Sequence, residues 1–234
     1  MNSEQQIIPP DHPVYKACET GNYEAVKQFL DSGISIYATA EEQASILGYA
    51  RSSGSFETYK LFFDRGYNPN YVGGSFNKTE LFSAARNKDI RWLKLLLEKG
   101  GDVNHRDRYG VTPYHIAAAV GTKEHIDLMV SAGANTTLLD DRGNDDFMKA
   151  ANAGNFGYAE ELLKKGRDIN RKDTSGSTVL IICAKSGLLD HVKWLLDHGA
   201  DVNAKDVRNK TALYYAETNK HEQVVELLRQ HGAA

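Results

Sequence analysis

Glycine recurs in this chain at Gly33, Gly66, Gly100, Gly133, Gly166, Gly199 and Gly232, at intervals of 33, 34, 33, 33, 33 and 33 residues. A fixed period of this size is the mark of one supersecondary unit repeated along the chain, each copy too small to bury its own apolar face and therefore stacked on its neighbours. Seven units follow from the count. Twelve residues before each of these positions stand Gly21, Gly54, Lys88, Gly121, Gly154, Gly187 and Lys220. Five of these seven inner turns carry glycine, for which positive φ has no Cβ penalty. Lys88 and Lys220 depart from that rule.

Apolar spacing gives each unit two helices. Leu93, Leu95, Leu96 and Leu97, like Val192, Trp194, Leu195 and Leu196, define a helix that buries one broad face. A shorter alanine-rich helix precedes each one. Ala17, Ala50, Ala84, Ala117, Ala150, Cys183 and Ala216 occupy one position in successive units, where only a small side chain lets neighbouring helices approach. Cys183 reads there as a small apolar filler. Polar links such as GGDVNHRD (100–107), GRDINRKD (166–173) and GADVNAKD (199–206) follow the helix pairs and suit an extended hairpin.

These units resemble the ankyrin repeat, a helix-turn-helix of 33 residues with a projecting β-hairpin. Asp107, Gly110, Thr112, Pro113, His115, Ala117, Ala118 and Gly121 match its D-G-TPLH-AA-G signature, with Tyr114 in place of the leucine, and 199–204 reads GADVNA unaltered. The resemblance implies an all-α repeat solenoid over nearly the whole chain. The expected organisation is a flexible lead-in over 1–11 and one domain of about seven repeats over 12–234, with polar terminal units as caps. It also implies that Thr112 and His115 hydrogen-bond between hairpin and helix, with Pro113 opening the helix. Departures are Asp145 to Met148 and Ser45 to Gly48, which replace TPLH, and an extra Gly73 beside Gly74 in the third hairpin.

Several function classes are disfavoured. A net charge of −3, from 28 basic and 31 acidic residues, is not the balance of a polyanion-binding domain. Cys18 and Cys183 alone give neither a disulfide framework nor a metal pattern. No apolar run is long enough for a membrane span, and the first residues lack the basic start and apolar core of a signal sequence; a cytoplasmic location is the simplest expectation, with a periplasmic or secreted one the alternative if a signal peptide has been removed. No HExxH or Cys/His cluster occurs, and the glycines of GNDDFMKAANAG (143–154) follow the repeat rather than a phosphate loop. Adjacent carboxylates, Asp145 with Asp146 and Glu41 with Glu42, point in different directions on a helix or turn. No catalytic residue, metal or cofactor is expected.

The expected function is protein binding. In ankyrin proteins the binding side comprises hairpin tips and the exposed side of the first helix, a concave face in a repeat stack. Most aspartates of the tips recur from unit to unit and read as turn-stabilising groups, so the variable positions are mainly basic. The candidate contact residues are Tyr71, Phe76, Arg106, Arg108, Tyr109, Arg142, Lys172, Lys185, Lys205 and Arg208. The partner expected is a protein with an acidic contact surface, with no nucleic acid or membrane involved and a monomer when free. Because the repeats fill nearly the whole sequence, occupancy is the evident output: an inhibitor or immunity-type protein occluding a hydrolase active site. The alternative is an adaptor joining two proteins.

Overall fold

The computed structural model describes residues 6–39, 45–73 and 75–234. Glu41, Glu42 and Gly74 lie outside the described residues. Among the described residues fourteen helices pair in order: α1 (Pro13–Glu19) with α2 (Tyr23–Asp31), α3 (Ile46–Ser52) with α4 (Phe56–Asp64), and α5 (Glu80–Ala84) with α6 (Arg91–Glu98). Then come α7 (Pro113–Val120) with α8 (Lys123–Ser131), α9 (Asp146–Ala153) with α10 (Phe156–Lys164), α11 (Val179–Lys185) with α12 (Leu189–Asp197), and α13 (Ala212–Thr218) with α14 (Glu222–Gln230). The chain forms two compact units, one ending at Asp102 and one beginning at Val103. In the first, α1 packs on α3 and α2 on α4; in the second, first helices stack in the order α7, α9, α11, α13.

Packing follows from the small residues. The recurrent position is buried at all seven occurrences, from Ala17 through Cys183 to Ala216. Longer side chains from the second helices fill the layer behind: Trp92, Leu93, Leu95 and Leu96 on α6, and Val192, Leu195 and Leu196 on α12. Leu97 and Trp194 are only half-buried. Burial pushes both thiols up to about 12, so Cys18 and Cys183 stay protonated and inert.

The first-helix starts show how local chemistry sets the frame. Thr112 caps α7 by accepting the His115 N–H (3.2 Å), while the Thr112 N–H donates to His115 Nδ1 (3.1 Å). His115 Nε2 lies 3.0 Å from the Leu138 carbonyl in the following link, so the neutral ring ties helix to hairpin. Burial holds its pKa below the ordinary value, against the favourable pull of that carbonyl. A second box of the same kind, Thr122 with His125, opens α8.

That second box explains an inner turn that breaks expectation. Gly121 has φ −78° and ψ 162°, an extended conformation, rather than positive φ. Glycine is still required there, because a Cβ would come within 2.6 Å of the Ala117 carbonyl oxygen. Conversely Lys220 adopts φ 61° without being glycine. The degenerate start of α9 is capped as well: Asp145 accepts the Met148 N–H at 2.9 Å, in the role threonine has elsewhere.

Asp146 stands where Pro113 stands in the preceding unit and is fully buried. Arg167 meets it through Nε (2.8 Å) and Nη2 (3.0 Å), and the Tyr114 hydroxyl donates to it at 2.9 Å. Arg167 itself occupies the alanine position of the GAD link, so two departures from the pattern compensate each other. At the start of the described chain, the Ile8 N–H donates to the Thr39 carbonyl (3.0 Å) and Ile8 is buried.

Candidate protein-binding groove

The tips of the second unit share one construction. Asp107, Asp140, Asp173 and Asp206 each use Oδ1 to accept the N–H groups two and four residues later, at 2.8 to 3.0 Å. The residue three positions on has positive φ: Gly110 71°, Gly143 79°, Gly176 74° and Asn209 58°. Asparagine tolerates this left-handed conformation better than other side-chain-bearing residues. Each aspartate also exchanges one backbone bond with the residue four positions on, too short a pairing for strands, so the projecting hairpins are tight turns. Among the described residues β-structure is confined to three isolated bridges.

Successive tips are then joined by backbone. Asp141 N–H donates to Tyr109 O (3.0 Å), Thr174 N–H to Arg142 O (2.8 Å) and Val207 N–H to Ser175 O (3.1 Å). The links below carry an asparagine splint: Asn104 donates to Gly133 O (3.0 Å) and accepts Asn135 N–H (2.7 Å), and Asn203 does the same with Gly232 O and Ala234 N–H. The tips are therefore a preorganised row.

Between this row and the first helices α9, α11 and α13 runs a groove of about 940 Å³. Of the residues singled out in the sequence, Tyr109, Arg142, Lys185 and Arg208 line it. Arg106 turns aside to Leu139 O (3.0 Å) and Asp141 Oδ1 (3.1 Å), and Lys172 donates to Lys205 O (2.8 Å). Arg108 and Lys205 are exposed outside the groove lining. Tyr71 and Phe76 belong to the other unit. Tyr71 sits in a cluster with Tyr37 (5.1 Å between ring centres) and Tyr67 (5.8 Å), and Phe76 is half exposed with the Lys78 ammonium 5.9 Å from its ring.

Sequence reasoning missed Lys149, Asn152 and Tyr215, which line the groove from α9 and α13. A signal existed for one of them, because Asn152 is one repeat before Lys185. Lys149 is committed to Asp140, at 2.5 Å. Burial alone pushes the Asp140 carboxyl upward, but the Lys149 ammonium and the Asn144 side-chain and backbone donors outweigh it and hold the group below its usual range.

The electrostatics of the groove follow from these commitments. The lining carries four carboxylates, Asp140, Asp141, Asp173 and Asp206, and four cations, Arg142, Lys149, Lys185 and Arg208. Three carboxylates are engaged by their own turns, and Asp206 also accepts the Tyr215 hydroxyl at 2.6 Å. Asp141 pairs with Arg106. Arg142, Lys185 and Arg208 make no ion pair within the described residues, and Lys185 lies over the Tyr215 ring at 5.3 Å. Hydrogen bonds from the turns do not cancel the charge of Asp173 and Asp206, so outside ion pairs the lining sets three cations against two carboxylates. No group of three or more metal-ligating side chains occurs among the described residues, and no described helix is long and apolar enough to cross a membrane.

A family model described as ankyrin repeats (3 copies) matches residues 47–140 and 147–234. The chain belongs to the ankyrin-repeat family. This ankyrin-repeat chain is 35% identical over 127 residues to an ankyrin repeat, SAM and basic leucine zipper domain-containing protein 1 of Dasypus novemcinctus, covering 51% of the chain and 26% of that protein. It is 27% identical over 104 residues to the palmitoyltransferase ZDHHC13 of Homo sapiens, covering 44% of the chain and 17% of that protein. Protein PhlB of Serratia liquefaciens is 30% identical over 148 residues, 60% of the chain and 65% of that protein. The match thus spans about a quarter or less of the first two, and the activities of those whole proteins do not come with it. Ankyrin repeats are protein-interaction modules, and that much of the expected function holds for this chain.

Proposed function

We propose that this chain is a non-catalytic module that receives an acidic surface of a partner protein in the groove of its second unit. The observation that carries this is the asymmetry of pairing: Asp140 and Asp141 are ion-paired with Lys149 and Arg106 and Asp173 and Asp206 are held by their own turns, whereas Arg142, Lys185 and Arg208 have no ion pair among the described residues. Such charges steer encounter, and the exposed Tyr109 ring supplies an aromatic anchor at one end. The output is occupancy, with the bound protein a hydrolase whose active site is covered.

Affinity capture from native extract, repeated with Arg142→Ala, Arg208→Ala and Tyr109→Ala, tests this reading. The captured protein is expected to lose hydrolytic activity when bound and to bind each variant at least tenfold more weakly. Unchanged affinity sinks the groove assignment, and retained activity in the complex sinks the inhibitor reading alone. One observation favours the adaptor alternative: the first unit presents its own exposed apolar side chains, Val72 and Phe76. Simultaneous binding of two proteins, one lost on Phe76→Ala and the other on Arg208→Ala, would support it.

A further inference from the structure

The three cations without an ion pair do not lie on one wall. Arg142 and Arg208 are tip residues, each two positions after its turn aspartate, whereas Lys185 is on α11 in the repeat between them. The tip residue of that middle repeat is Ser175, and its hydroxyl is held by Asp173 at 2.7 Å. Each of three successive repeats therefore offers one cation, alternately from the tip wall, the helix wall and the tip wall.

Stacked helices lie about 8–10 Å apart, so one repeat step corresponds to about three residues of extended chain at roughly 3.3 Å each. In an extended segment side chains alternate between faces, so positions i and i+6 share one face and i+3 takes the other. That is the alternation of the groove.

The backbone of the tips excludes a different mode. The N–H groups of 142, 144, 175, 177, 208 and 210 are taken by the turn aspartates, and those of 141, 174 and 207 by the neighbouring tip. A partner cannot add as a strand to this row and must be read through side chains. The groove volume of about 940 Å³ is large enough for a short segment of chain.

From this we infer that the groove binds an extended acidic segment with carboxylates at i, i+3 and i+6, the outer two meeting Arg142 and Arg208 and the middle one Lys185. The inference rests on the groove reading above and assigns the form of its partner.

Two synthetic peptides of identical composition test it at near-physiological salt, one with three glutamates spaced by three and one with them spaced by two. The first is expected to bind the full chain at least tenfold more tightly. In a double-mutant cycle, Lys185→Ala is expected to couple to the central glutamate (Glu→Gln) by about tenfold and not to the outer ones, a result independent of any general loss of charge. Equal binding of the two peptides, no binding of either, or tighter binding of a single-stranded oligonucleotide would overturn the inference. The groove reading fails separately, if a captured protein partner is indifferent to Arg142→Glu with Arg208→Glu.

Discussion

The finger at 68–79 in the first unit and the tips of the second unit begin from the same repeat and are held by different physics. In the second unit four aspartates fold four turns alike, and backbone bonds between tips fix their spacing. In the first, the described residues of the finger depart from that pattern: Gly73 bridges Lys78, Asn77 takes φ 55°, and Thr79 opens α5 without a side-chain cap bond. Ring packing takes over, with Tyr37 stacked on Tyr67 at 4.7 Å and Phe63 edge-on at 5.5 Å. Hydrogen-bonded turns hold equivalent residues in equivalent places, which a periodic binding site requires. Aromatic packing holds one finger in one place.

The contrast predicts unequal responses to truncation. Tyr67→Ala removes a buried ring that touches three others and should destabilise the first unit by about 3–5 kcal/mol in urea unfolding, in the range of large-to-small core changes. A loss below about 1 kcal/mol would show that ring packing does not hold this finger. Asp146→Ala, which leaves the partly exposed Arg167 unpaired, should cost about 3 kcal/mol in the second unit. Restoring the pattern of the other repeats with Asp146→Pro and Arg167→Ala together should recover most of it; failure to recover would mean that the pair is not a compensated exchange.

Asp173→Ala frees the N–H groups of Ser175 and Ser177 and should cost about 1–2 kcal/mol while loosening the groove, visible as faster amide exchange at the 173–177 turn. The smallest effect is that of pH on His115. Its folded pKa lies below the ordinary value of 6.5, so the folded state binds fewer protons than the unfolded. The stability it contributes is complete above about pH 6.5 and is lost as pH falls through the folded value. The urea midpoint should therefore decline from pH 7 to pH 5, and His115→Gln should flatten that decline; an unaltered slope would remove His115 from the account.

Much of this was legible in the sequence, because a period is a global signal. The glycine spacing and small-residue column gave the helix pairs, and the repeated aspartate gave the turns. Compensation between distant departures was not legible: Asp146 reads as a local defect and Arg167 as part of a polar link, and only the fold brings them to 2.8 Å. The same holds for charge. Arg106 and Arg142 both read as basic tip residues in sequence, yet a cross-tip pairing with Asp141 engages the first and leaves the second without an ion pair.

The central claim, that the partner enters the groove of the second unit, is tested most directly by placing a photo-crosslinking residue at Ser175, and separately at Glu160 on the outer helix α10, and irradiating native extract. A partner seated in the groove gives one discrete adduct at position 175 and none at 160. The same adduct from 160, with none from 175, would contradict it.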